Sequence, residues 1–96
     1  MFQGSAVHLG QRECNGYQRV TSLTPATALT VPAGTRLVIL QPETKSVRWR
    51  DDGTNPTASI GMIMAANDVF IYTGEPSRLR FIEVEASAVL NVSYYK

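Results

Sequence analysis

The residues with the most chemical capacity in this chain lie in one run, RWRDDGTNP, Arg48 to Pro56. Two arginines flank a tryptophan, two aspartates follow, and a glycine and Asn-Pro close it. As calcium ligands, Asp51, Asp52, Thr54 and Asn55 would offer oxygen. A helix–loop–helix calcium site, however, alternates its ligands and ends on a bidentate Glu, and the next Glu downstream is Glu75. As paired catalytic carboxylates, Asp51 and Asp52 would have to face one substrate. Adjacent residues of an extended chain point to opposite sides. As a turn, the run needs nothing extra. Asp-Gly favours positive φ at a reversal, and an Asp side chain accepts from the backbone N–H groups that follow. Asn55-Pro56 then holds the exit extended. The run therefore reads as a sharp structural turn between two strands.

Four arginines form two pairs, Arg48 with Arg50 and Arg78 with Arg80. Two-residue spacing on a strand puts each pair on one face, opposite Val47 and Trp49 or Leu79 and Phe81. On a solvated face they would pair with Asp51, Asp52, Glu83 or Glu85, at about 0–1 kcal/mol per exposed pair. Arginine is also enriched where proteins meet, because its planar fork takes carboxylates bidentately and its flat face stacks on rings. The candidate interface residues are Arg48, Arg50, Asp51, Asp52, Arg78 and Arg80. Tyr94 and Tyr95 join them, since their strand could add to a neighbouring sheet edge. Trp49 reads as a core anchor, with Tyr72, Tyr94 and Tyr95 as other candidate stacking rings. Met62, Ile63 and Met64 read as core or interface filling.

Other chemistry is sparse. Cys14 is the only cysteine and His8 the only histidine. The chain cannot form an internal disulfide, and Cys14 has no partner thiols for a zinc site. No GxSxG, phosphate-binding glycine loop or HExxH is present. The sequence implies no enzyme, no cofactor and no metal. Nine Lys plus Arg against eight Asp plus Glu leave a net charge of +1. Nucleic-acid binding by bulk electrostatics would need a clear basic excess. The longest mostly apolar stretch, Ile60 to Val69, is too short to span a bilayer. With no signal-peptide pattern at the start, synthesis in the cytoplasm is expected.

The elements that must position these residues are strands. Pro and Gly punctuate the chain at short intervals, and a helix of ten residues hardly fits between them. The runs between are rich in Val, Ile, Thr, Tyr and Phe. Strands are expected at 17–21, 28–31, 36–41, 46–50, 59–64, 69–72, 78–84 and 89–95. LVIL, Leu37 to Leu40, is apolar on both faces and reads as a central strand. Pro32 and Gly34 read as the second and fourth positions of a turn. Ile60, Met62 and Met64 share one face, as do Leu90, Val92 and Tyr94. One helical turn fits Ala65 to Asp68. Residues 1–15 read as an N-terminal arm, extended or ordered by a partner, and 16–96 as a single domain. About eight short strands with short connections predict an all-β, compact antiparallel sandwich, jelly-roll-like, with a small barrel as the alternative.

From Gly16 onward the chain resembles a group of small proteins encoded by tailed bacteriophages and prophages. The shared features are the opening GYQRVTSL, the turn VPAG, the core VRWRDDG-x-x-PTAS-x-GM, the phrase RFIEV and the ending LNVSYY. RWRDDG with PTA shortly after is the most specific of them. The resemblance implies a non-enzymatic virion structural protein and carries no catalytic residues across. A capsid decoration or cement protein is the expectation. Its partners would be copies of itself, as a trimer by analogy, and the major capsid protein or other virion proteins, without nucleic acid or membrane. The alternatives are a neck, tail or fibre-associated component, and a carbohydrate- or cell-surface-binding β module.

Overall fold

The computed structural model describes residues 11–96. The expectations that rest on residues 1–10, His8 among them, lie outside the described residues. Eight strands follow one another: β1 Cys14–Val20, β2 Thr27–Ala28, β3 Leu37–Glu43, β4 Val47–Arg50, β5 Met62–Met64, β6 Phe70–Tyr72, β7 Arg80–Glu83 and β8 Val89–Tyr95. Each overlaps a run that the sequence marks as a strand. β1 also takes in Cys14 and Asn15, which the sequence reading leaves in the arm.

The strands form two antiparallel four-stranded sheets, ordered β1-β8-β3-β6 and β2-β7-β4-β5. The pairing is nested. β1 meets β8, β2 meets β7, β3 meets β6 and β4 meets β5. The chain is thus one long hairpin, wound so that β8 also meets β3 and β7 also meets β4.

Alternation along each strand decides what it buries. Val38, Leu40, Leu90, Val92 and Tyr94 of the first sheet and Val47, Met64 and Phe81 of the second are all 3% exposed or less. Val20, Leu23, Leu79 and Ala88 complete the same cluster. Burial of a Val, Leu, Met or Phe side chain stabilises by about 1.5–3 kcal/mol, and this is what offsets the entropy of ordering so short a chain. β3 lies inside its sheet, as its apolar run predicts. Pro42 fits there because its carbonyl turns away from β8 and accepts the Asn67 N–H at 2.6 Å. Its missing N–H faces the same way, beyond the end of β6, which pairs only with Val38 to Leu40.

Three local expectations are corrected. In VPAG, Thr35 N–H donates to the Pro32 carbonyl at 3.3 Å. Pro32 is therefore first in the turn, and Gly34, at φ +86°, takes the third position, which demands positive φ. Ala65 to Asp68 is a reversal rather than a helical turn, because Asn67 adopts φ +68°. The described residues do hold one helical turn, a 3-10 turn at Pro76–Arg78. Proline suits its first position, and β7 accordingly starts at Arg80 rather than Arg78.

The register fixes what lies at each end of the sandwich. Val38 faces Tyr94 on one side and Tyr72 on the other. Cys14 faces Tyr95. The start of β1, the start of β3, the end of β6 and the end of β8 therefore share one end.

Candidate functional site

The run RWRDDGTNP sits at that same end, but it is not the sharp turn expected. β4 stops at Arg50 and β5 starts at Met62, so residues 51–61 form a long loop. The loop makes its own small reversal, with Thr57 and Ile60 exchanging backbone bonds of 2.8 and 3.2 Å. The local chemistry is as anticipated. Gly53 has φ +90°, and Asp52 Oδ1 accepts the Thr54 N–H at 3.4 Å. Gly61 closes the loop against β4. A Cβ there would stand 3.0 Å from Pro56 Cβ and 3.2 Å from the Trp49 carbonyl oxygen, at φ +140°.

Each arginine has a different task. Arg48 donates to the carbonyls of Ala58 at 3.1 Å and Gly61 at 2.7 Å, which ties the loop to β4. Arg50 grips Asp52 through both oxygens, at 3.0 and 2.5 Å. That bond raises the Arg50 pKa and holds the Asp52 carboxyl below the usual range. Arg78 Nε donates to the Asp51 carbonyl at 3.0 Å. Arg80 donates to the carbonyls of Ser77 and Leu79, both at 2.9 Å. Arg50 and Arg80 stand directly opposite in the β4–β7 ladder, a like-charge arrangement that destabilises a sheet.

The first sheet supports this end of the second. Tyr72 donates its hydroxyl to Asp51 Oδ2 at 2.6 Å. Burial first, and then this bond to a carboxylate, push the Tyr72 pKa up to about 12. The half-buried Trp49 ring stands edge-on to Tyr72, centroids 6.0 Å apart. It packs on the core, as its alternation predicts.

Of the eight interface candidates, Arg48, Arg50, Asp51, Asp52, Arg78 and Arg80 gather at this end and on the outer face of the second sheet. Tyr94 does not. It is 1% exposed, its hydroxyl donates to Gln18 Oε1 at 2.6 Å, and burial pushes its pKa up to about 12. Tyr95 is half-buried in β8, which has a strand on either side. No open edge remains there for a neighbouring sheet. The anticipated pairing of the arginines with Glu85 is also absent. Glu85 meets Lys45 at 3.2 Å.

Two clefts flank the loop. One, of about 470 Å³, is bordered by Trp49, Ile60, Gly61 and Met62, with Arg50 and Asp52 on its rim. The other, of about 280 Å³, is lined by Gly53, Asn55, Ser77, Arg78 and Arg80. Beside the first, Ile60, Met62 and Ile63 are 57%, 60% and 52% exposed. Alternation places Met62 with Met64 on the core face, but only Met64 is buried. β5 is a three-residue edge strand, and Met62 lies at its outer end. The signal for this surface was Ile63, which leaves the run Met-Ile-Met without a polar face.

Among the described residues, no group of three or more His, Cys, Asp or Glu side chains is placed to hold a metal. No described helix is long and apolar enough to cross a membrane. The chain matches no protein-family model, no curated protein and no solved structure.

Proposed function

We propose that this protein is a non-enzymatic structural component of a tailed-bacteriophage virion, a decoration protein that acts as a symmetric oligomer on the capsid. The observation that carries the reading is the more than half exposed trio of Ile60, at the end of the loop, and Met62 and Ile63, on the edge strand β5, next to Arg48, Arg50 and the half-buried Trp49. Methionine, arginine and aromatic rings are the residues enriched at protein interfaces. An open, short strand with apolar side chains is a surface that a partner covers.

The sequence motifs support the same reading. VRWRDDG builds β4 and the start of the loop, PTAS and GM complete the loop and begin β5, RFIEV spans β7 and Val84, and LNVSYY lies within β8. The motifs therefore frame this end of the molecule as well as its core. The nested hairpin pairing supports a jelly-roll-like winding of the sandwich.

Light scattering coupled to gel filtration over a concentration series, followed by co-sedimentation with purified capsids, tests the proposal. A discrete oligomer, or a monomer that co-sediments with capsids, agrees with it. A monomer that ignores capsids overturns it. Copies found by cryo-electron microscopy at the neck or tail would move the protein within the particle.

A further inference from the structure

We propose that the cleft bordered by Arg78 and Arg80 is an oxyanion-binding site, which takes a phosphate or carboxylate group. The site stands independently of the virion reading.

Four observations converge on it. First, Arg78 and Arg80 both line the cleft, and neither forms an ion pair with a carboxylate among the described residues. Second, both are already anchored. Arg78 spends Nε on the Asp51 carbonyl, and Arg80 spends Nη1 on the carbonyls of Ser77 and Leu79. These bonds fix the two side chains and leave the remaining guanidinium N–H groups open, the form of pre-organisation that favours a planar fork. Third, Asn55 borders the same cleft, and an amide side chain is a neutral group able to donate to an anion. Fourth, Gly53 keeps the wall low. A Cβ there would lie 3.3 Å from Arg78 Nη2, at a φ of +90°.

The carboxylates nearby are otherwise engaged. Asp52 holds Arg50, Asp51 accepts from Tyr72, and Glu75 accepts from Ser77 Oγ at 2.9 Å. Asp52 already neutralises Arg50, which faces Arg80 in the ladder, so the uncompensated positive charge at the cleft is that of Arg78 and Arg80. A bound anion would meet that charge, and its bonds to guanidinium would be the short, charge-assisted kind.

The test is a pair of NMR titrations of the intact protein at constant ionic strength, one with inorganic phosphate and one with acetate. Saturable shifts centred on Gly53, Asn55, Ser77, Arg78 and Arg80 are expected. Arg78→Gln and Arg80→Gln should each weaken binding by about tenfold, the loss of one bond to a charged group. Because Arg78 also braces the loop, Arg80→Gln and an unchanged melting temperature separate binding from folding. Arg36→Gln, an exposed charge outside the cleft, should leave the titration as it was. Saturation by phosphate alone assigns a tetrahedral anion, and saturation by acetate assigns a carboxylate. No saturable shift with either anion overturns the site. So does equal weakening by all three substitutions, which would mean diffuse charge.

Discussion

Tyr72 and Asp51 join the two sheets through one hydrogen bond of 2.6 Å. Tyr72 ends β6 of the first sheet, whereas Asp51 follows β4 of the second. The arginine-rich end of one sheet is therefore held in shape by a side chain of the other. Tyr72→Phe keeps the ring beside Trp49 and removes only the donor. A loss of about 1 kcal/mol in urea denaturation is expected, with faster proteolytic cleavage within residues 51–61. Wild-type behaviour in both measurements would show that the bond does not brace the loop.

Alkaline pH should destabilise this protein through the buried Tyr94 and the partly buried Tyr72. Burial pushes the pKa of Tyr72 and of Tyr94 up to about 12, from the ordinary 10.0 of a tyrosine. Above about pH 10 the unfolded chain sheds these protons while the folded chain keeps them. Stability is thus fully present below pH 10 and declines as pH rises towards 12. Urea midpoints measured between about pH 9 and 11.5 should fall, and less steeply in Tyr72→Phe. A flat profile would contradict the burial described for both hydroxyls.

The exposed edge can be tested without touching the core. Met62 and Ile63 are 60% and 52% exposed, so Met62→Lys with Ile63→Lys should change the melting free energy by no more than about 0.5 kcal/mol. Charges on an edge strand oppose pairing with another copy. If the proposed oligomer forms through this edge, the double variant should be a monomer in light scattering. An intact oligomer of the double variant would place the interface elsewhere.

Gly61 is the position where a single methyl group should do most harm to the loop. Its φ of +140° suits glycine alone, and the added Cβ would press on Pro56, Arg48 and Trp49. Gly61→Ala should cost about 1–3 kcal/mol. Gly34→Ala shares the positive φ but has nothing within 4 Å, so it should cost less. Equal losses would show that conformation, not contact, governs both sites.

The legible part of this fold is what alternation and turn chemistry control. Val47 with Trp49, Leu79 with Phe81, and Leu90 with Val92 and Tyr94 all turn inward as their spacing requires. What was not legible depends on the ends of strands and on long-range register. Period-two spacing gives Met62 and Met64 one face, yet cannot say that β5 ends a sheet and leaves Met62 uncovered. Spacing alone pairs Arg50 with Arg48. Only the ladder reveals that Arg50 faces Arg80. Tyr94-Tyr95 reads as a terminal edge from position in the chain, but the winding places β8 between β1 and β3. The cleft of Asn55, Ser77, Arg78 and Arg80 joins residues that no local pattern links.

The nested pairing has a mechanical consequence. Cys14 and Tyr95 are opposite each other at the open end of the β1–β8 ladder, and the two strands run in opposite directions from there. A load applied to the two ends would meet the hydrogen bonds of this ladder one at a time, like the teeth of a zip. It would not shear all of them together. The domain is therefore built to yield softly when pulled apart at Cys14 and Tyr95.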